Sequence, residues 1–251
     1  MRRWLLLILA ACWLAPGLAA QAADLTVSAA ISLKEAFSEI AAQFEKARPG
    51  DKVTFNFGSS GELAQQIDRG APVDVFASAA LKQMNDLDKK GLILVGTAQP
   101  FARNRLAVVV PKGSAKVTSF EQLAKVARLA IGNPKTVPAG QYASDALNKA
   151  GIYQNLLDAQ KLVFAENVRQ VLAYVEDGSV DAGIVYTTDA RVSDKVSVGF
   201  AVPENYSAPV VYPLAVVKDS KLPELARAFV AFVLSPQGQA ILQSKGFLSA
   251  K

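Results

Sequence analysis

Twice near the start of this 251-residue chain, a short apolar strand runs into a helix through a serine followed three residues later by a glutamate. The first joint lies in residues 29–37 (AAISLKEAF), with Ser32 and Glu35, and the second in residues 57–63 (FGSSGEL), with Ser59 and Glu62. In this pattern the serine hydroxyl accepts a hydrogen bond from an unpaired amide of the first helical turn, and the glutamate answers the amide of the cap itself. Leu33, Phe37, Ile40, Ala41 and Phe44 continue the first joint at helical spacing. A helix begun this way leaves further amides pointing outward from an end of partial positive charge, a geometry that holds small anions. Strands are expected over residues 25–30, 53–57 and 73–77, with helices after each, the later two over 61–69 and 81–89. Strands that alternate with helices argue an α/β fold on a parallel sheet. In open sheets of that kind ligands sit beyond the carboxyl ends of the strands, where Ser32 and Ser60 fall.

Residues 1–3 (MRR), an apolar run over 4–11 and a small-residue tail to Ala20 have the form of a secretory signal peptide, expected to cover residues 1–23. Cleavage after Ala20, Ala22 or Ala23 fits the tail equally. A minor alternative is lipoprotein processing at Cys12, which follows Leu9, Ala10 and Ala11. Loss of the leader removes the single cysteine and both tryptophans, Trp4 and Trp13, from a chain that has no histidine. A disulfide framework, a thiolate metal site, a cysteine nucleophile and a histidine base are thereby excluded from the mature chain. Net charge falls from +5 to +3 with Arg2 and Arg3, and no basic run remains to argue for nucleic acid.

A second series of elements begins at residues 105–111 (RLAVVVP). A helix is expected over 119–126 and a strand over 127–131. The turn-rich loop 132–140 (GNPKTVPAG) then opens a helix from about residue 141 to 150. Further on come a strand over 161–164, a cap at Asn167, a helix over 168–176 and a strand over 181–186 that ends on Tyr186. The chain closes with a strand over 210–217 and helices over 222–234 and 236–245; no internal sequence repeat is apparent.

The segments AAISL, FGSSGEL, DVFASA, VPAGQYA, ENVRQVL and DAGIVYTTDA, in this order and spacing, resemble those of the periplasmic molybdate-binding proteins of bacterial ABC transporters. The resemblance runs from Asp24 to about Phe247. It implies a two-lobed periplasmic binding protein, each lobe a mostly parallel sheet flanked by helices. The chain would cross between lobes twice, giving lobe 1 from residues 24–103 plus 209–251 and lobe 2 from 104–208. It also implies that an oxyanion is held in the cleft with no positively charged side chain in contact. Carried over position by position, Ser32 and Ser60 supply hydroxyls and amides, Ala139 and Val168 supply amides, and Tyr186 supplies its hydroxyl. The expected ligand is molybdate or tungstate, with no cofactor and no metal held directly, and the expected partner is a membrane permease, the protein itself being a monomer. Gly61 and Ala80 depart from the pattern, standing where some relatives carry a serine and a polar residue respectively.

The residues support this independently. A tetrahedral dianion offers only acceptors, so its site needs donors from several directions. Sulfate or another tetrahedral oxyanion is the alternative within the same class. An enzyme or a sensor on the same fold is the alternative outside it. The enzyme reading lacks a Gly-x-Ser-x-Gly elbow, a Ser-x-x-Lys pair and any histidine.

Overall fold

In the computed structural model of the protein, residues 23–115 and 117–250 are described. The expected leader, apart from Ala23, and Cys12 lie outside them. Two five-stranded sheets carry the fold. The first is built from β1 (Asp24–Ala30), β2 (Lys52–Gly58), β3 (Val75–Ala77), β4 (Gln99–Asn104) and β10 (Val210–Val216), in the order β2-β1-β3-β10-β4. The second contains β5 (Leu106–Pro111), β6 (Leu129–Gly132), β7 (Leu162–Ala165), β8 (Ala182–Tyr186) and β9 (Val196–Ala201), in the order β7-β6-β8-β5-β9. The same strand order thus occurs twice, although the sequence shows no repeat.

One strand in each sheet runs against the other four, and it is the strand by which the chain enters. β4 ends at Asn104 and β5 begins at Leu106, so the link has no length in which to turn back. β5 therefore starts where its neighbours end, and it pairs antiparallel with both β8 and β9. β10, which follows the return link from Ala201, is likewise antiparallel to β3 and β4. The parallel sheets expected from the strand and helix alternation are in this respect mixed, with four strands aligned and the entering strand reversed.

The helices are α1 (Lys34–Ala47), α2 (Ser60–Asp68), α3 (Leu81–Lys89), α4 (Phe120–Leu123), α5 (Pro138–Lys149), α6 (Tyr153–Asp158), α7 (Val168–Glu176), α8 (Thr187–Ala190), α9 (Pro223–Leu234) and α10 (Pro236–Ser244). α3 and α7 have the bounds read from the sequence, whereas α4 is shorter than its expected span. α6, β4 and β9 were not anticipated: β4 and β9 are edge strands with several exposed positions and so lack a clean apolar signal. The apolar face of α1 buries Phe37, Ile40 and Phe44. Phe229 of α9 meets Phe44 and Phe37 edge-on, with ring centroids 5.4 and 6.1 Å apart, tying the end of the chain to its beginning.

Candidate functional site

Strand register brings the site together. The last residues of β1 and β2, Ala30 and Gly58, are directly paired, so the turns that follow them lie side by side and present Ser32 and Ser60. In the second sheet Gly132 pairs with Ala165 at the ends of β6 and β7, which lead into the first turns of α5 and α7 and hence to Ala139 and Val168. β8 lies parallel on the other flank of β6 and ends on Tyr186. All five residues line one small cavity. Among the described residues, no charged side chain lines it.

Each donor has a local origin. Ser59 caps α2, its Oγ accepting from the Glu62 amide at 3.4 Å, and this leaves Ser60 as the first helical residue. Ser60 Oγ accepts from the Ala79 amide at 2.9 Å, so its own proton remains available. Asn167 caps α7 in the same manner, accepting from the Gln170 amide at 3.0 Å. α5 begins at Pro138, three residues before its expected start, which places Ala139 inside the first turn. That turn lies hard against β6: a Cβ on Gly140 would stand 1.9 Å from the Gly132 carbonyl oxygen, an approach only glycine permits. Among the described residues the amides of Ser32, Ser60, Ala139 and Val168 have no acceptor. Three helix N-termini, those of α2, α5 and α7, therefore aim partial positive charge and free N–H groups at one small volume.

The cap expected at Ser32 is not formed. Ser32 sits within a 3-10 turn, Ile31–Leu33, and makes no cap bond to α1. Its Oγ lies 3.1 Å from the Tyr212 hydroxyl, a buried phenol that would otherwise lack this partner. Glu35, the other half of the expected box, turns instead to Arg169. Tyr186 is 1 % exposed, and its hydroxyl has no hydrogen-bond partner among the described residues. Burial raises its ionisation well above the ordinary tyrosine range, so it stays a proton donor at neutral pH.

Sequence reasoning missed the contacts that join the two halves. The Gly61 amide donates to the Thr136 carbonyl at 3.0 Å, linking α2 of one lobe to the loop before α5 of the other. Arg169, next to Val168, reaches across to Glu35 of α1 with Nη1 at 2.9 Å from Oε1, while its Nε holds Asp189 of α8 at 2.7 Å. Burial pushes the fully buried Asp189 carboxyl up to about 6, against the opposing pull of Arg169. The lobes are thus closed on each other. Asn104 and Tyr212 were also missed as part of the site's surroundings. Arg169 was visible only as the third residue of NVR, and nothing local marked its partners.

Comparison with known proteins places this architecture among binding proteins. A family model described as bacterial extracellular solute-binding protein matches residues 25–248. A putative ABC transporter substrate-binding lipoprotein, YvgL of Bacillus subtilis, is 40% identical over 89% of this chain and 85% of its own. The molybdate-binding protein ModA of Haemophilus influenzae is 37% identical over 92% of each chain. Among solved structures, the periplasmic molybdate-binding protein of Azotobacter vinelandii superposes with a TM-score of 0.83 at 27% identity, covering 90% of this chain and 100% of that one.

Proposed function

The chain belongs to the bacterial extracellular solute-binding protein family, and on that premise we propose that it captures molybdate, and tungstate with it, and delivers the ion to the permease of an ABC transporter. The observation that carries this reading is the cavity itself: small, free of charged side chains, and bordered by serine and tyrosine hydroxyls and helix-start amides without acceptors. Such a site suits a compact anion with acceptors on every side. Relatives named as molybdate-binding, similar over nearly the whole length, support the choice of ion. In this reading Ser32 and Ser60 donate from lobe 1, and Ala139, Val168 and Tyr186 donate from lobe 2. The lobes divide as residues 24–103 with 209–251, and 104–208. The protein acts as a monomer, exported to the periplasm by its leader, and performs no catalysis.

Competition calorimetry tests the ion. The metal–oxygen bonds of molybdate and tungstate are alike and longer than the sulfur–oxygen bonds of sulfate. Amides fixed in helix first turns cannot follow the smaller ion inward, and each stretched bond loses about 1 kcal/mol. Tungstate should displace molybdate at comparable concentration and sulfate should not. Displacement by equimolar sulfate would assign the site to sulfate instead.

Binding should also be insensitive to moderate alkali. Both Tyr186 and Tyr212 have their ionisation raised by burial, so each keeps its proton as pH rises through the ordinary tyrosine value near about 10. Affinity measured between pH 8 and about 10 should therefore stay level. A tenfold loss over that interval would mean that a donor in contact with the ion ionises normally.

A further inference from the structure

We propose that Asn104 and Tyr212 lock the direction of the Ser32 hydroxyl, so that Ser32 can only donate into the cavity, and that this polarity disfavours oxyanions that carry a proton. The proposal rests on the anion-binding reading above, and it concerns residues outside the cavity wall.

The direction follows from one group that cannot reverse. The backbone N–H of Arg105 donates to Asn104 Oδ1 at 2.9 Å, and Thr187 Oγ1 approaches the same oxygen at 3.0 Å. An amide N–H can only donate, so the side-chain oxygen of Asn104 must face it and the NH₂ must face away. That NH₂ donates to Thr188 Oγ1 at 2.9 Å and to the Tyr212 hydroxyl at 3.3 Å. Tyr212 is fully buried, accepts from Asn104, and retains its own proton because burial raises its ionisation. The acceptor that the hydrogen-bond geometry gives it is Ser32 Oγ at 3.1 Å. Ser32 then accepts from Tyr212, and its own proton is left free to point into the cavity that it lines.

Ser60 is locked by the same logic in one step, since the group that donates to its Oγ is the backbone amide of Ala79. Both hydroxyls thus accept on their protein side from groups held in that direction and are left to donate on the ligand side. An oxyanion with an O–H needs an acceptor. Turning Ser32 round to supply one would break its bond from Tyr212 and leave the buried Tyr212 proton without its acceptor. Asn104 closes β4 of the first sheet and also holds α8, which follows β8 of the second, through Thr187 and Thr188, so the same residue that sets the polarity lies at the crossing between lobes.

A double-mutant cycle reads this directly. Tyr212→Phe keeps the ring against Tyr186, Phe101 and Phe247 and removes only the hydroxyl. With Ser32 present, Tyr212→Phe should weaken molybdate binding about three- to tenfold; with Ser32→Ala in the background the same change should cost less than about twofold. Phosphate, which carries an O–H at pH 7, should gain on sulfate, which does not, by about fivefold in Tyr212→Phe, the similar size of the two ions cancelling steric effects. Asn104→Asp provides a second route, because a carboxylate cannot donate to Tyr212 and would turn the relay round. Its added charge acts in both serine backgrounds, so a loss that is larger with Ser32 present isolates the polarity. Equal losses in the two backgrounds, for both variants, would overturn the proposal. A parent protein that binds sulfate rather than molybdate would overturn the ion assignment alone, and the same cycle run with sulfate would still decide the polarity.

Discussion

Replacing Arg169 with alanine is expected to cost about 3–5 kcal/mol of stability, the cost of breaking a buried ion pair by removing one partner. The side chain is 17% exposed and spans two carboxylates with very different surroundings. Glu35 is partly open to solvent, so Glu35→Gln alone should cost no more than about 1 kcal/mol of stability and appear mainly in affinity, because that half of the contact joins the lobes. Asp189 is fully buried, and among the described residues one of its carboxylate oxygens lacks a partner and Arg169 is the cation paired with the other. Its folded-state value, already raised to about 6, must rise further when the cation that pulls it down is removed. A carboxyl whose value is raised by folding holds its proton more tightly in the folded state, so the stability it contributes is present at low pH and lost as pH rises through the folded value. The deficit of Arg169→Ala should accordingly shrink between pH 8 and 5. Adding Asp189→Asn should recover much of it at pH 8. Urea denaturation at the two pH values checks both; a deficit independent of pH and unrelieved by Asp189→Asn would show that Arg169 stabilises through packing alone.

How far the sequence could be read depended on whether an interaction was local. Ser59 with Glu62 and Ser32 with Glu35 are the same pattern in the chain, yet only Ser59 became a cap. What diverted Ser32 is Tyr212, 180 residues away, and what diverted Glu35 is Arg169, 134 residues away. Neither partner can be inferred from helix-start chemistry. Asn167, whose partner amide is three residues on, was legible for the opposite reason. The same contrast holds for the sheets. Runs such as residues 182–186, buried throughout, announced themselves as strands, whereas β4 and β9 take their strand form from pairing with β10 and β5 more than from their own composition. The duplicated strand order was invisible because topology repeats here without residues repeating. The five residues carried over by resemblance converge on one cavity, but the polar groups that orient and close that cavity came only with the fold.

Gly61→Ala should separate affinity from stability more sharply than any change to a ligand-facing residue. Gly61 is in the first turn of α2 and is not among the glycines with positive φ, so alanine fits its backbone without strain. In an open form the substitution should be neutral or should stabilise the helix by up to about 1 kcal/mol, since alanine forfeits less backbone entropy. In the closed form a Cβ at this position would stand 2.3 Å from the Thr136 carbonyl oxygen and 2.8 Å from its Cα. Both are backbone atoms of the loop that leads directly into α5, so neither can rotate aside. Closure would have to stop about 1 Å short, drawing the first turn of α5, with Ala139, away from Ser60 and stretching the Gly61–Thr136 bond itself. Several donors would lose their alignment at once, and the expected loss is on the order of 2–3 kcal/mol in molybdate affinity, or about 30- to 150-fold. Thermal melting without ligand should show the variant at least as stable as its parent, and calorimetry should show it binding far more weakly. Small-angle scattering would then find the ligand-bound variant less contracted than the ligand-bound parent. An affinity equal to the parent's would mean that the ion is held without the Gly61–Thr136 contact, and that the closed arrangement of the lobes is not the one in which it binds.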